Sequence, residues 1–486
     1  MIVFLRVVGA AIQAAISLFI YDTFRKYYTE FGAIIAAFFF FNTLPKWIQT
    51  PEFANMTVWF GVLVMLCLLR AYHEDKYRTL WFVLAGLTLA LLVLSYPSCV
   101  LAMIPLAFVI RMLSGKKVLK DASVVIGTCA GTGICYVAYF LSHMTLEQFL
   151  FGLRQMMTDG YHEQTLLERA LVYGEQIFSL VPHVFLIMGF AAVLTGIYRR
   201  FGEKAQTSPA WFVFLCNALA ICLIEQVILW LFVNRYMHYP LLYFYLLLFL
   251  GIVAYKKLNC RKGSPEHTLL WAGCVWGMAV WFFALVITNT TISVTGSYLM
   301  PGALAGIVYL AMAMERYGED LHAKFSQRVL PVGVLLGTLA VTFLAKGYLV
   351  CTNVGELEDI FLVRQKALSG VAKNIYFQYM QGYAYNLYAE TISPYVEETD
   401  ALLILMEEPI YYIMDDAIIS TYSTISTPTF DKRLNEYWEL YPERYPDYVV
   451  CNSTYNPEGE EKEWVESLGL KEPIYENERF RLYQVK

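Results

Sequence analysis

The sequence is poor in charge. Only 16% of its 486 residues are Asp, Glu, Lys or Arg, against 58% hydrophobic residues and a mean hydropathy of +0.48, whereas a soluble domain carries about 25% charged and about 45–50% apolar residues. That shortage excludes a soluble globule. Metal-type cysteine spacing is missing too: the ten cysteines form no CxxC and no Cys/His grouping. Cys67, Cys129, Cys135, Cys216, Cys222 and Cys274 lie inside apolar runs, where the thiol behaves as a small hydrophobe. No metal or thiol chemistry is expected from them. The C-terminal region has no glycine-rich phosphate fingerprint, which argues against a nucleotide site there. No signal peptide precedes the first apolar run. A convincing internal repeat is also lacking: Pro97 and Pro105 early, Pro240 and Pro301 later, do not form the paired broken helices usual in transporters.

What is present is a series of about twelve apolar runs, each read as a helix that crosses or enters a bilayer core. They extend over Ile2 to Ile20, Gly32 to Leu44, Met56 to Leu69, Leu80 to Tyr96, Pro97 to Met112 and Ala122 to Leu141. The series continues with Ile177 to Tyr198, Ala210 to Val233, Met237 to Tyr255, Thr268 to Thr288, Ser297 to Met314 and Leu330 to Val350. The second is short enough to be a tilted or re-entrant element. Every second loop is basic: Arg111 with Lys116, Lys117 and Lys120; Arg199, Arg200 and Lys204; Lys256, Lys257, Arg261 and Lys262; Arg316, Lys324 and Arg328. Basic loops stay in the cytoplasm. The register places Arg25, Lys26, Arg70, Lys76 and Arg78 inside as well. It puts Lys46 to Asn55, Ser142 to Gln176 and everything after Val350 outside, and Met1 outside too. A membrane domain over 1–350 and an extracytoplasmic domain over 351–486 follow.

The tail changes character, with 24 acidic against 11 basic residues from position 351 on. Such a balance keeps a domain soluble, away from anionic headgroups and from nucleic acid. Its pattern is α/β: strands at Ala401 to Met406, Tyr448 to Cys451 and Arg479 to Val485, and helices at Ile375 to Ile392, Lys432 to Tyr441 and Glu461 to Leu468. A small, mostly parallel sheet with covering helices is expected. The fold class is therefore a polytopic α-helical membrane protein with a small C-terminal extracytoplasmic α/β domain. Cys351 and Cys451 fall on the same side, which leaves a disulfide open.

Candidate chemistry lies mostly on the outer face. The loop from His143 to Gln176 reads as one or two amphipathic helices with Phe149, Leu150 and Leu153 on one side. Within it Asp159, His162 and Glu163 are spaced for a general base or a cation site, or are simply the solvated face of an interfacial helix. Glu225 and Gln226 interrupt an apolar run, where an ionisable group is a functional candidate by default. Arg235 or His183 could instead pair with Glu225 structurally. Arg6 and Arg235 are candidate lipid-phosphate contacts, Arg6 being equally readable as a snorkelling side chain. Tyr27, Tyr28, Trp47, Trp59, Tyr239 and Tyr255 read as interfacial belt residues.

The order of elements resembles the GT-C superfamily of integral membrane glycosyltransferases, which includes protein O-mannosyltransferases and the bacterial aminoarabinose transferase. LRVVGAAIQAAISLFIYDTFRKYY (Leu5 to Tyr28) resembles the family's second helix with its basic cytoplasmic exit. AGLTLALLVLSYPSCVLAMIPLAFVI (Ala85 to Ile110) resembles its helix pair joined at a Pro turn. YWELYPERYPDYVV (Tyr437 to Val450) resembles the helix-to-strand step in external domains of related bacterial membrane proteins. The resemblance implies transfer of a sugar from a polyprenyl-phosphate carrier to an extracytoplasmic acceptor. An external carboxylate would activate the acceptor, and a divalent cation or basic residues would steady the leaving phosphate. It also exposes a departure, because the family's acidic pair would precede the first span and no residue here matches it. The catalytic base is thus expected upstream of Met1, in an N-terminally truncated transferase, unless the chain is a relative without catalysis. Two other classes stay open: a lipid-linked glycan transporter or flippase, and a non-enzymatic envelope protein whose acidic domain binds a partner. The expected location is a bacterial plasma (inner) membrane.

Overall fold

Without water, a backbone inside a bilayer has to satisfy its own hydrogen bonds, so an apolar run that crosses becomes a helix. In the computed structural model this holds for the apolar runs among the described residues. The structure describes residues 2–43, 50–157, 165–201, 210–229, 242–244, 246, 264–287, 291–318, 325–351, 364–405, 407–422, 433–470 and 472–485. Among them ten helices are long and apolar enough to cross a membrane. The chain is a polytopic α-helical membrane protein with a small C-terminal α/β region.

The helices are α1 (Ile2–Tyr27), α2 (Glu30–Asn42), α3 (Phe53–His73), α4 (Arg78–Ser95), α5 (Met103–Ser114), α6 (Val118–Leu141), α7 (Leu146–Met157), α8 (Leu166–Phe201) and α9 (Ala210–Ile228). A single turn at Pro265–Thr268 and a π-helical stretch at Leu269–Val275 lead into α10 (Trp276–Ile287); α11 (Met300–Gly318) and α12 (Phe325–Cys351) follow. The short second run is the 13-residue α2. The run expected over Met237 to Tyr255 lies almost wholly outside the described residues. Two compact units emerge. One holds most of α1 to α6 and α8 to α12; the other holds α7 and the elements from Arg364 onward, together with the start of α1 and the last turn of α6.

Within the helical unit α11 is buried along nearly its whole length, while α6 and α8 are largely exposed. A helix apolar all round belongs at the centre of a bundle, and the exposed ones are those expected to face lipid. Close approach at the centre uses small residues: a Cβ on Gly277 would come within 2.8 Å of the Gly302 nitrogen. This is the small-residue contact that lets helices pack without a hydrophobic driving force. Trp276 Nε1 donates to the Gly61 carbonyl at 2.8 Å and ties α10 to α3.

Several charges read from the sequence as loop charge are locks between helix ends. Arg70 is buried and lies over the rings of Phe19 (4.5 Å) and Trp81 (5.0 Å), while donating to Thr23 Oγ1 at 2.9 Å and to Asp22. Arg78 reaches Asp121 at 2.5 Å, and Arg316 reaches Glu266 at 2.7 Å. Two belt assignments need correction. Trp59 is buried, its indole N–H donating to Gln13 Oε1, and the Tyr28 hydroxyl lies 2.6 Å from Thr268 Oγ1. Each polar tip found a protein partner, so neither residue needs an interface. Trp47, Tyr239 and Tyr255 lie outside the described residues.

In the other unit β1 (Arg364–Lys366) and β2 (Tyr376–Gln378) form a small antiparallel pair. A five-stranded sheet is ordered β4 (Ile418–Ile419), β3 (Ala401–Leu405), β5 (Tyr448–Asn452), β7 (Phe480–Gln484), β6 (Tyr475–Glu476). It is mixed rather than mostly parallel: β3 runs parallel to β4 and β5, but β7 runs antiparallel to β5 and β6. The tight turn between β6 and β7, where Asn477 Oδ1 accepts from the Arg479 and Phe480 amides, folds that pair as an antiparallel hairpin. The helices are α13 (Tyr379–Thr391), α14 (Arg433–Leu440) and α15 (Gly459–Ser467), close to their sequence-read positions. Of the residues expected at the start of α13, Tyr376 to Gln378 are taken into β2 instead. Strand alternation divides the core: Leu402, Val450, Phe480 and Leu482 face Tyr385, Tyr388 and Tyr411, while Leu403, Leu405, Val449 and Cys451 face Trp438, Trp464 and Phe151. Cys451 is a buried free thiol in β5. The side chain of Cys351 lies outside the described ones.

Candidate functional site

Three chain breaks meet at one end of the helical unit. Helix α3 begins after Pro51, with Glu52 as its N-cap residue. Helix α4 ends at Ser95 with Tyr96 as its C-cap residue, after which Pro97 opens a 3-10 turn through Ala102. A second 3-10 turn, Gly296–Leu299, precedes α11. Pro97 imposes the second of these breaks because its ring cannot continue the α4 ladder. The Tyr96 and Tyr298 rings meet edge to face at 5.9 Å, and Phe53 lies 6.1 Å from Tyr96.

Polar groups accumulate where these breaks converge. Asn55, Ser98, Thr295, Ser297 and Tyr298 are all buried, and Asn55 Nδ2 donates to the Thr50 carbonyl at 3.0 Å. Glu52 is half-buried and within Coulombic reach of the Tyr298 hydroxyl, as is Cys99. Among the described residues neither Ser98 Oγ nor Tyr298 OH has a hydrogen-bond partner. Buried hydroxyls in native structures are nearly always bonded. These two are therefore free to bond a polar group brought to the site. A half-buried carboxylate within Coulombic reach of such a hydroxyl can take a proton from an incoming hydroxyl or amide while the hydroxyl orients it. The sequence reading did not single out Glu52. The available signal was a Pro-Glu pair placed directly before an apolar run, in a loop the charge register puts outside.

The residues singled out from sequence fare unequally. Glu225 on α9 faces His183 on α8, with Oε1 and Nδ1 at 2.5 Å. Of its two envisaged partners, His183 is the one in contact, and Arg235 lies outside the described residues. About two to three turns away on the same interface, Asn217 Nδ2 donates to Thr195 Oγ1 at 3.0 Å. The second Glu225 oxygen and both polar atoms of the buried Gln226 have no partner among the described residues. Arg6 is exposed on α1. Asp159, His162 and Glu163 lie outside the described residues. Among the described residues no three His, Cys, Asp or Glu side chains gather as a metal-ligand set.

No protein-family model matches the sequence, and no curated protein matches it. Two solved structures are similar to it. One is the Archaeoglobus fulgidus oligosaccharyltransferase tethered with an acceptor peptide containing the NVT sequon, with a TM-score of 0.44 and 16% identity over 92% of this chain and 57% of that one. The other is the archaeal oligosaccharyltransferase AglB, also from Archaeoglobus fulgidus, in complex with an inhibitory peptide and a dolichol-phosphate. Its TM-score is 0.43 at 15% identity, covering 92% of this chain and 58% of that one. The chain thus spans less than two thirds of the length of the structures it matches.

Proposed function

We propose that this protein is a membrane glycosyltransferase of GT-C type, which moves a sugar from a polyprenyl-phosphate carrier to an acceptor on the extracytoplasmic face. The observation that carries the reading is the half-buried Glu52 within Coulombic reach of the unpartnered Tyr298 hydroxyl, at a helix end that the loop charges put outside. A lipid-linked donor has to be met from within a bilayer, and a body with ten apolar helices among the described residues suits that demand. A polar acceptor arrives from water, which suits a site at the helix ends.

In this reading, which puts the base within the chain in place of the one expected upstream of Met1, the acceptor's hydroxyl or amide gives its proton to Glu52 as its oxygen or nitrogen bonds to the anomeric carbon. The bond from that carbon to the phosphate oxygen breaks, and polyprenyl phosphate leaves with the electron pair. Ser98 and Tyr298 hold the acceptor, and Arg6 meets lipid phosphate. The acidic α/β unit is assigned to the same outer side. The assay is release of polyprenyl phosphate from radiolabelled undecaprenyl- and dolichyl-phosphate sugars by the full chain in nanodiscs, with peptide and glycan acceptors. Glu52→Gln is expected to lower release about 10²- to 10⁴-fold, the usual worth of a general base. Tyr298→Phe is expected to raise KM more than it lowers kcat. A wild-type chain that is folded yet releases nothing from any donor would favour the non-catalytic envelope reading.

The His183–Glu225 pair supports a second reading, a lipid-linked glycan transporter with a titratable pair inside the bundle. Uptake of a labelled polyprenyl-linked glycan into proteoliposomes, abolished by Glu225→Gln while Glu52→Gln leaves it intact, is the result that would replace the transferase by the transporter.

A further inference from the structure

Helix α7 has two apolar faces with different fates. It starts with a reciprocal capping box: Thr145 Oγ1 accepts from the Gln148 amide at 3.2 Å, and Gln148 Oε1 accepts from the Thr145 amide at 2.9 Å. One face docks within its own unit. Phe151 is 7% exposed and stacks with Tyr437 at 6.2 Å, meeting Tyr422 edge-on at the same distance. Gln148 Nε2 donates to the Leu440 carbonyl at 3.2 Å, and Arg154 pairs with Glu436. The opposite face carries Leu146, Leu150 and Leu153, at positions i, i+4 and i+7 of one stripe, exposed by 60%, 53% and 40%. Glu147 and Arg154 flank that stripe.

Chain length limits what can cover it. Helix α6 is one of the apolar spans and ends at Leu141, so only Ser142 to Thr145 separate it from α7. Four residues reach at most about 14 Å. Tyr139, exposed in the last turn of α6, is the kind of residue found at headgroup level. Helix α7 therefore starts within a short link of a bilayer surface, with three leucines uncovered and charges beside them.

We propose that α7 is a membrane-surface clamp: Leu146, Leu150 and Leu153 lie in the headgroup–acyl boundary of the lipid bilayer while Phe151 holds the C-terminal α/β unit from the other side. An amphipathic helix with a leucine face and flanking charges takes that position. The clamp keeps the α/β unit on the membrane surface instead of at the end of a tether. It does not depend on which reaction the protein performs.

The test is spin-label accessibility in the full chain, reconstituted in nanodiscs of phosphatidylcholine and phosphatidylglycerol. Single cysteines replace Leu150, or Glu398 as an aqueous reference exposed on the α/β unit, in a cysteine-free background that retains its thermal midpoint. The label from Leu150→Cys is expected to collide several-fold more with oxygen than with a nickel chelate, and the label from Glu398→Cys to show the reverse. A Leu150 label as open to the nickel chelate as that at Glu398 would mean a solvated face and overturn the proposal. Shielding from both reagents would mean a protein partner and overturn it equally.

Discussion

Gln13 is fully buried in α1 and joins three helices: its Nε2 donates to the Phe40 carbonyl at 2.6 Å, and its Oε1 accepts from the Trp59 indole. Replacing it by leucine removes both bonds and leaves the Trp59 N–H buried without a partner. Interhelical hydrogen bonds in membranes average about 0.6 kcal/mol and reach about 1.7. An orphaned buried donor costs about 1–3 kcal/mol. The expected loss is therefore about 1–3 kcal/mol, since the two figures overlap in describing the same indole. Trp59→Phe alone removes the donor and some packing. The asymmetry between unpaired and absent groups then makes a sharper claim. Once the indole N–H is gone, Gln13→Leu no longer orphans it, so the double variant should be less destabilised than the sum of the single variants by about 1 kcal/mol. The measurement is unfolding of the purified chain by SDS titration, followed by helical circular dichroism. Additivity within about 0.5 kcal/mol, the usual result for independent sites, would refute the argument. The consequence reaches the candidate site, because Gln13 helps to seat α3 and hence Glu52 at its start.

Phe151→Ala should cost about 3 kcal/mol or more of α7 docking, and amide exchange of α7 and α14 should then rise at least about 100-fold; unchanged exchange would show that Phe151 is not what holds the helix. Glu74 lies in the link between α3 and α4. Its burial pushes the carboxyl up, yet hydrogen bonds from Lys26, Tyr27 and Trp81 outweigh this and hold it at about 2. A depressed carboxyl stabilises the fold above its unfolded value of about 4.3 and loses that contribution as pH falls toward 2. Thermal midpoints measured in detergent between pH 7 and pH 3 should therefore fall more steeply for the wild type than for Glu74→Gln, and parallel curves would contradict the assignment.

The reach of the sequence differs from feature to feature. The runs around Val118 to Leu141 and Ala210 to Ile228 could be placed from hydropathy alone, because each needs only its own residues to satisfy its backbone. Strands β3 and β5 were legible from short apolar runs bounded by breakers. The sheet's direction was not, since the antiparallel return of β7 depends on the Asn477 turn and on which strand it meets. Trp59 and Tyr28 looked like belt residues because they sit near segment ends, and nothing local announces Gln13 or Thr268 as their partners.

By itself, then, the sequence determined the membrane class, the spacing of the helices, the alternation of loop charge and the α/β character of the acidic tail. All of these follow from local composition and period. Tertiary structure alone decided which polar groups meet. Glu52 comes within Coulombic reach of Tyr298 across more than two hundred residues, Glu225 faces His183, and the aromatic face of α7 is buried while its leucines are not. The physical reason is that burial of apolar surface is nondirectional and additive along the chain, so it can be read residue by residue. A hydrogen bond or an ion pair requires two particular atoms at one distance, and only the packed chain supplies that distance.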